Sequence, residues 1–199
     1  MNAIEPESES KSEPERLVWC DLETTGLDPN NDLLLEVGFR ITDLELNTLS
    51  QKSVLIWGPK YIDKIVQSKI EHIVWNMHKE SQLFVDAKEH GTAITAARDV
   101  ISNWLVQHDI TVNDPICGSS VQFDRGWLDV WMPECINMFS YRNIDTSSIK
   151  EVCRRYNPVL YAKLDEDTSP KKLHRVQSDL TDTINEFKFY RDNFFFWRD

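Results

Sequence analysis

Positively charged residues are scarce in this sequence. Among its 199 residues, 22 are Lys or Arg and 33 are Asp or Glu, so the formal net charge at neutral pH is −11. A protein that grips long duplex nucleic acid needs a basic surface to neutralise the phosphates, and this composition provides no such global surface. The charge balance argues against a duplex-binding protein. It is compatible with a small anionic substrate that is bound by metal ions and a few nearby basic residues.

Cysteine is also sparse. The four cysteines, at positions 20, 117, 135 and 153, show no C-x-x-C spacing, so nothing indicates a disulfide framework or a zinc site. No stretch approaches the length of a membrane span. The N-terminus has neither the apolar core of a signal peptide nor an Arg-rich transit pattern. A cytoplasmic, reducing location is therefore the default expectation.

The chain divides into a short tail and one domain. Residues 1–15 are rich in Glu, Ser and Pro and poor in apolar side chains, so we expect a disordered acidic tail. Residues 16–199 have the size of a single domain, and seven Trp and nine Phe are ample for one core.

Periodicity and turn residues predict an α/β fold, with a sheet covered by helices. We expect the second and third strands to form an antiparallel hairpin or meander. Strands are predicted at 17–23, 33–43, 46–57 and 115–119, helices at 60–71, 91–108, 124–131, 147–156 and 176–194, a loop flanked by short helices at 72–83, and a polar loop at 161–172.

Two carboxylates end the first predicted strand. Asp21 and Glu23 are two residues apart, and in a strand such residues point to the same face. Carboxylates forced together repel each other, which raises a pKa unless a cation intervenes. Mg²⁺ and Mn²⁺ prefer oxygen ligands and are the natural cations for such a pair. Taken alone, an Asp-x-Glu pair is more often a strand end with solvated acids.

Two later segments carry acids in similar contexts. Asp124 opens a predicted helix directly after a buried strand, and Asp179 follows His174 by five residues. Five residues on a helix place side chains about 140° apart, so His174 should precede the last helix and Asp179 should lie in its first turns. A solvent-reached His beside carboxylates suits general-base chemistry near neutral pH, although a lone His is more often an ordinary surface residue.

Together these motifs resemble the DEDDh branch of the DEDD 3′→5′ exonucleases, and within it the oligoribonuclease family. The similarity runs from Leu17 to about Phe194. Its signatures are Asp-Leu-Glu-Thr-Thr-Gly-Leu-Asp-Pro, Ile-Cys-Gly-Ser-Ser-x-x-x-Asp-Arg, Tyr-Arg-Asn-Ile-Asp-x-Ser-Ser-Ile-Lys-Glu and His-x-x-x-x-Asp. The resemblance implies a ribonuclease H-like fold, in which a mixed central sheet, antiparallel in its first strands and then parallel, is flanked by helices.

The resemblance also implies a mechanism. Four acids would hold two divalent metal ions, Mg²⁺ or Mn²⁺, and His174 would be the general base that deprotonates the attacking water. Two metals can clamp the attacking and leaving oxygens of an in-line phosphoryl displacement. The implied ligands are Asp21, Glu23, Asp124 and Asp179.

For the substrate, the resemblance implies very short RNA oligomers, such as dinucleotides, hydrolysed to 5′-mononucleotides. A cap around the 5′ phosphate would exclude longer chains, and two residues would reach across a two-fold homodimer into the partner's site. Gln82 stands where Gly is usual in this family. The implied substrate residues are Leu27 between the bases, Trp75 and His78 at the 3′ base, Ser120, Ser147, Ser148 and Lys150 at the phosphate, and Tyr141 and Arg142 across the dimer.

Plainer interpretations remain open for these substrate residues. Trp75 can be core or partly buried surface, Leu27 can be ordinary packing, Ser147 can be only a helix N-cap, and Lys150 can be a solvated lysine paired with nothing. The Tyr141–Arg142 pair can be ordinary surface.

Two other functions also remain open. One is a DEDDh exonuclease for single-stranded DNA or RNA 3′ tails, which needs an extended basic or aromatic track that is not obvious here. The other is a nucleotide-binding module without catalytic activity. The presence of the expected residue at all five implied catalytic positions argues against it.

Overall fold

A mixed sheet forms the centre of the protein. The computed structural model describes residues 16–59, 61, 70–167 and 173–195, and in this part of the chain the sheet has the strand order β3-β2-β1-β4-β5. β1 pairs antiparallel with β2 and β2 with β3, whereas β1–β4 and β4–β5 are parallel, which confirms the predicted arrangement. The strands are β1 Arg16–Thr24, β2 Leu34–Asp43, β3 Thr48–Leu55, β4 Ile116–Gly118 and β5 Asn143–Asp145.

Helices cover the sheet. None in the described ranges is long and apolar enough to cross a membrane. The predicted tail at 1–15, most of the predicted helix at 60–71, and residues 168–172 lie outside the described residues. The helices are α1 His72–Glu80, α2 Leu83–His90, α3 Ile94–Gln107, α4 Val121–Trp131, α5 Pro133–Ile136, α6 Thr146–Tyr156, α7 Pro158–Asp167 and α8 Val176–Tyr190, which continues into a π-helix at Arg191–Phe195.

Several predicted boundaries were wrong. The predicted loop at 72–83 is helical up to Glu80, since no Gly or Pro interrupts it. Part of the predicted polar loop at 161–172 belongs to α7, which starts at Pro158. Proline is accepted in the first turn of a helix because its missing N–H would have no partner there, so Pro158 begins a helix instead of preventing one.

Both faces of β1 are buried because the strand is central and helices cover the sheet on both sides. Val18, Cys20 and Leu22 join the larger core cluster. Leu17 and Trp19 point the other way and pack with α8, which begins at Val176. By the two-residue alternation of a strand, Asp21 and Glu23 continue the face of Trp19. The fold therefore directs both acids toward the start of α8.

Close approach of α8 depends on a glycine. Gly38 lies directly across from Asp21 in the β1–β2 register. A side chain on Gly38 would overlap Val176, the first residue of α8. The absence of a Cβ at this position lets the first turn of α8 rest directly on the sheet beside the two acids.

Candidate active site

Three carboxylates from distant parts of the chain converge at the end of β1. One oxygen each from Asp21, Glu23 and Asp179 lies within 4.8 Å of the others. β1 supplies the first two, and the first turn of α8 supplies Asp179. Glu23 is buried, with 5% of its surface exposed. The structure thus brings together three of the four acids predicted as metal ligands.

The fourth predicted ligand lies beside this cluster. Asp124 is in the first turn of α4 and is buried. Burial raises the pKa of its carboxyl group well above the usual value, and the charge of Asp21 raises it further. Asp124 is not among the three acids whose oxygens meet within 4.8 Å in the described residues. Asp124 is nevertheless close enough to Asp21 for the charge of Asp21 to act on it.

The electrostatics of the cluster favour a bound cation. Burial, followed by the charges of Asp21 and Asp179, raises the pKa of Glu23 to about 9, against a smaller lowering by Arg175. A carboxyl group in this state keeps a proton at neutral pH unless a cation takes the place of that proton. The potential ligands are all hard carboxylate oxygens, which suit Mg²⁺ and Mn²⁺. The residues present therefore fit a divalent metal ion.

His174 lies just before α8, as the spacing predicted. Its side chain is partly buried, and its backbone adopts a left-handed conformation with φ of 51°. A non-glycine residue adopts this conformation only where its surroundings hold it there. The chain therefore turns sharply at His174, directly before α8 begins at Val176.

His78 lies behind the acidic cluster. Its imidazole has no exposed surface; Nε2 donates to the Thr24 carbonyl oxygen at 2.7 Å, and Nδ1 is 3.8 Å from Oε2 of Glu23. Burial lowers the pKa of His78, which favours the neutral ring. The residue belongs to helix α1 and not to the predicted loop. Its predicted place in a base pocket would need α1 to move, because the ring is closed off from solvent here.

Two predicted base contacts are exposed. Leu27, in the turn after β1, has 83% of its surface exposed, so ordinary packing does not account for it. Trp75 on α1 is 42% exposed, and its ring lies 5.0 Å from that of Phe84 on α2. Trp75 is therefore a partly exposed aromatic residue that packs against Phe84.

The turn between α1 and α2 has Gln82 at the position where the family resemblance leads us to expect Gly. Gln82 has φ of 60°, in the left-handed region. Glycine adopts this region without the steric cost that a Cβ brings. Gln82 therefore holds, at some steric cost, a backbone shape that a glycine would adopt freely.

Replacing Gln82 with Gly is expected to stabilise the protein. The gain should be about 0.5–1 kcal/mol, since the relief of left-handed strain exceeds the extra entropy of glycine in the unfolded chain. Urea unfolding measures it. Lys79→Gly, inside α1, is the matched control and should cost about 1 kcal/mol. Destabilisation of both variants by similar amounts would contradict a strained turn at Gln82.

The predicted phosphate residues gather at the N-terminus of α6. The Oδ1 atom of Asp145 accepts from the backbone N–H groups of Ser120 and Ser147 at 2.8 and 3.0 Å. The hydroxyl of Ser147 donates to the same oxygen at 2.8 Å, and that of Ser148 donates to Oδ2 at 3.0 Å. Asp145 is the N-cap of α6, so the N-cap alternative for Ser147 is wrong. Sequence reasoning missed Asp145 as part of this group, although Asp before a helix signals an N-cap.

The other predicted substrate residues lie further out. Lys150 forms an ion pair with Glu186 on α8, with Nζ 3.4 Å from Oε1, so the expectation of a lysine paired with nothing is wrong. Tyr141 is 79% exposed, and the guanidinium of Arg142 stacks 5.1 Å from the centre of its ring. This pair projects from the loop before β5 as a combined aromatic and cationic surface.

Comparisons with known proteins identify related sequences. The family model described as "Exonuclease" (RNase_T) matches residues 18–187. The oligoribonuclease of Acinetobacter baylyi is 36% identical over 190 residues, which cover 94% of this chain and 98% of that protein. The oligoribonuclease of Haemophilus ducreyi is 33% identical over 180 residues, covering 90% and 94% of the two chains.

Solved structures confirm the ribonuclease H-like fold. Exonuclease I from Methylocaldum szegediense aligns with a TM-score of 0.61 at 19% identity, covering 90% of this chain and 41% of that chain. A zinc-bound complex of E. coli exonuclease I with single-stranded DNA gives 0.67 at 15% identity, covering 92% and 41%. The present chain spans about two fifths of those longer chains, and the likeness shows a shared fold.

Proposed function

This chain belongs to the exonuclease family, and on that premise we propose that it is a 3′→5′ exoribonuclease that hydrolyses very short RNA oligomers to 5′-mononucleotides. The observation that carries the proposal is the convergence of Asp21, Glu23 and Asp179 within 4.8 Å, and the last of these acids lies on a helix that is directly preceded by His174 and Arg175. Similarity to oligoribonucleases over almost the entire chain supports short RNA as the substrate.

The acidic cluster would hold divalent metal ions. We propose two ions, Mg²⁺ or Mn²⁺, with Asp21, Glu23, Asp124 and Asp179 as their protein ligands. When bound, such ions neutralise charge on the phosphate and lower the pKa of water. The imidazole of His174 would accept the proton of the attacking water, which is the work of a general base near neutral pH. Buried Glu23 and Asp124 would close the inner side of the site to bulk water.

Base recognition would use the exposed apolar side chains. Leu27 would insert between two bases, and Trp75 would stack on the 3′ base, where stacking contributes about 1–3 kcal/mol. The Phe84 ring packs against the Trp75 ring, with 5.0 Å between the ring centres. His78 contacts Phe84, with 5.3 Å between ring centres, and would join this base pocket only after a movement of α1.

Length selection would come from the other end of the substrate. Ser120 and Ser147, already joined through Asp145, would bind the 5′ phosphate together with the positive charge of Lys150. Arg142 and Tyr141 would reach this phosphate from the second protomer of a homodimer. A planar guanidinium suits a terminal phosphate because it binds two oxygens at once. Closure at this point would exclude longer chains.

The domain organisation and the cellular location are also proposals. We infer one exonuclease domain in residues 16–199 and RNA degradation in the cytoplasm. The four cysteines are buried free thiols, which is typical of proteins from a reducing compartment.

A cleavage profile over substrate length tests the proposal. We expect a dinucleotide of RNA to be hydrolysed at least about tenfold faster than a seven-mer, because loss of the phosphate contacts corresponds to at least about 1.4 kcal/mol. EDTA should abolish cleavage of both. The profile should be measured on RNA and on DNA of matched sequence.

Each other outcome identifies an alternative. Equal or faster cleavage of the seven-mer would contradict the phosphate cap and leave a general exonuclease. Faster cleavage of single-stranded DNA would favour the DNA or 3′-tail enzyme. Absence of any EDTA-sensitive cleavage would leave a nucleotide-binding module.

A further inference from the structure

One arginine connects the catalytic segment to two other elements. Arg175 lies between His174 and α8. Its Nε is 3.1 Å from Oε2 of Glu36 on β2, and its Nη1 is 2.5 Å from Oδ2 of Asp86 on α2. The Glu36 side chain is only 5% exposed and the Arg175 side chain 30% exposed. These contacts are therefore better shielded from solvent than an ordinary surface ion pair.

The backbone around Arg175 needs such an anchor. Arg175 occupies the N-cap position of α8, and its side chain makes no capping hydrogen bond. The preceding residue, His174, has the left-handed φ of 51°. The first N–H of α8, that of Val176, is bonded to the Glu36 carboxylate, so the start of α8 is held by another element and not by its own N-cap side chain. The two ion pairs of Arg175 add constraints from the sheet and from α2.

The Glu36 contact also separates two acids. Glu36 lies directly across from Glu23 in the β1–β2 register, so both side chains leave the same face of the sheet. Like charges directly opposite each other repel. Arg175 binds the Glu36 carboxylate, and this leaves the Glu23 carboxylate to converge with Asp21 and Asp179.

We propose that Arg175 is a positioning residue, whose ion pairs with Glu36 and Asp86 hold the segment from His174 to Asp179 in its working place. The inference rests on the proposed roles of His174 and Asp179. The Asp86 contact also ties this segment to α2, which carries Phe84, the support of Trp75. The same arginine thus joins the metal side of the site to the base side.

Two variants test whether Arg175 positions the site residues or only stabilises the fold. Arg175→Met keeps the apolar stem and removes both ion pairs; Asp86→Asn removes one charge from a side chain that is 35% exposed. We expect Arg175→Met to lower kcat on the dinucleotide about 10–100-fold, as the loss of a residue that orients metal ligands does. KM should change less than about threefold. Asp86→Asn should have a smaller effect in the same direction.

Metal binding provides a readout that does not depend on turnover. In calorimetric titration with Mn²⁺ alone, we expect Arg175→Met to weaken the binding about tenfold, because Asp179 loses its fixed position. Arg175→Lys, which keeps the charge without the planar fork, should recover part of the loss. The matched control is Arg154→Met, at a surface arginine paired with Glu151, and it should leave both quantities unchanged.

The proposal is overturned if Arg175→Met and Asp86→Asn retain wild-type kcat and Mn²⁺ affinity within about twofold, whatever their melting temperatures. Should Arg175→Met fail to fold, Asp86→Asn gives the same decision from a more exposed position. If the wild type cleaves no RNA, the proposed function fails. The Mn²⁺ titration then still decides whether Arg175 positions the acids.

Discussion

Replacing Asp179 with Asn is expected to lower kcat by about 10³-fold or more, because a metal ligand contributes several kcal/mol to the stabilisation of charge in the transition state. The oxygens of Asp179, Asp21 and Glu23 lie within 4.8 Å of one another, so an amide at this position removes one of the charges that would attract the ions. The change is nearly isosteric. Turnover of a dinucleotide in the presence of Mn²⁺ measures it.

The fold should survive this substitution. Asp179 is partly buried, and removing its charge relieves repulsion within the cluster, so the metal-free variant should be no less stable than the wild type. Circular dichroism and the melting temperature check this point. Asp21→Ala should abolish turnover in the same way.

The matched control for charge removal is Asp129→Asn. Asp129 lies on α4, the helix that carries Asp124, but is exposed. This variant should retain full activity. Persistent activity of a clean Asp179→Asn preparation, free of contaminating nuclease, would refute the metal-ligand role and with it the proposed mechanism.

The positions of the acids could be predicted from the sequence because they follow from local periodicity. Alternation along β1 places Asp21 and Glu23 on one face, and the five-residue spacing places His174 outside the helix that holds Asp179. Both are properties of short segments. The resemblance to oligoribonucleases then implied a mixed sheet, antiparallel in its first strands and then parallel, whereas the strand order came from the structure.

The surroundings of the acids could not be predicted in the same way. The burial of His78 behind Glu23 depends on which face of α1 packs against β1, and a nine-residue helix with mixed polarity does not reveal that. The contacts of Arg175 with Glu36 and Asp86 join residues distant in the chain. No local pattern reports such contacts, since they exist only after the sheet and both helices have assembled.

The metal-free protein is expected to lose stability as the pH rises from 4.5 toward 9. Burial, together with the charges of Asp21 and Asp179, raises the pKa of Glu23 from 4.5 to about 9. Between these values the folded state keeps a proton that the unfolded state has released, so the free energy of unfolding falls with increasing pH. The fall attributable to Glu23 is at most about 1.4 kcal/mol per pH unit, and it is absent below pH 4.5.

Replacing Glu23 with Gln isolates this contribution. In EDTA at pH 8, the variant should melt at least about 3 °C above the wild type, because each kcal/mol corresponds to about 2–4 °C in a protein of this size. Near pH 4.5 the difference should vanish, since Glu23 is then protonated in the folded state. Thermal unfolding followed by circular dichroism across this range gives both values. Glu45→Gln, at an exposed position, should not change the pH dependence.

Addition of Mn²⁺ at pH 8 should make the wild type melt at a higher temperature than Glu23→Gln. A cation bound at Glu23 takes the place of the proton, so it stabilises the wild type at pH 8 and stabilises Glu23→Gln much less. The prediction would be contradicted if the wild type in EDTA were as stable at pH 8 as at pH 5 and gained no stability from Mn²⁺. Glu23 would then have neither a raised pKa nor a role as a metal ligand. The dependence on both pH and metal follows from a single feature, the burial of Glu23 beside two other acids.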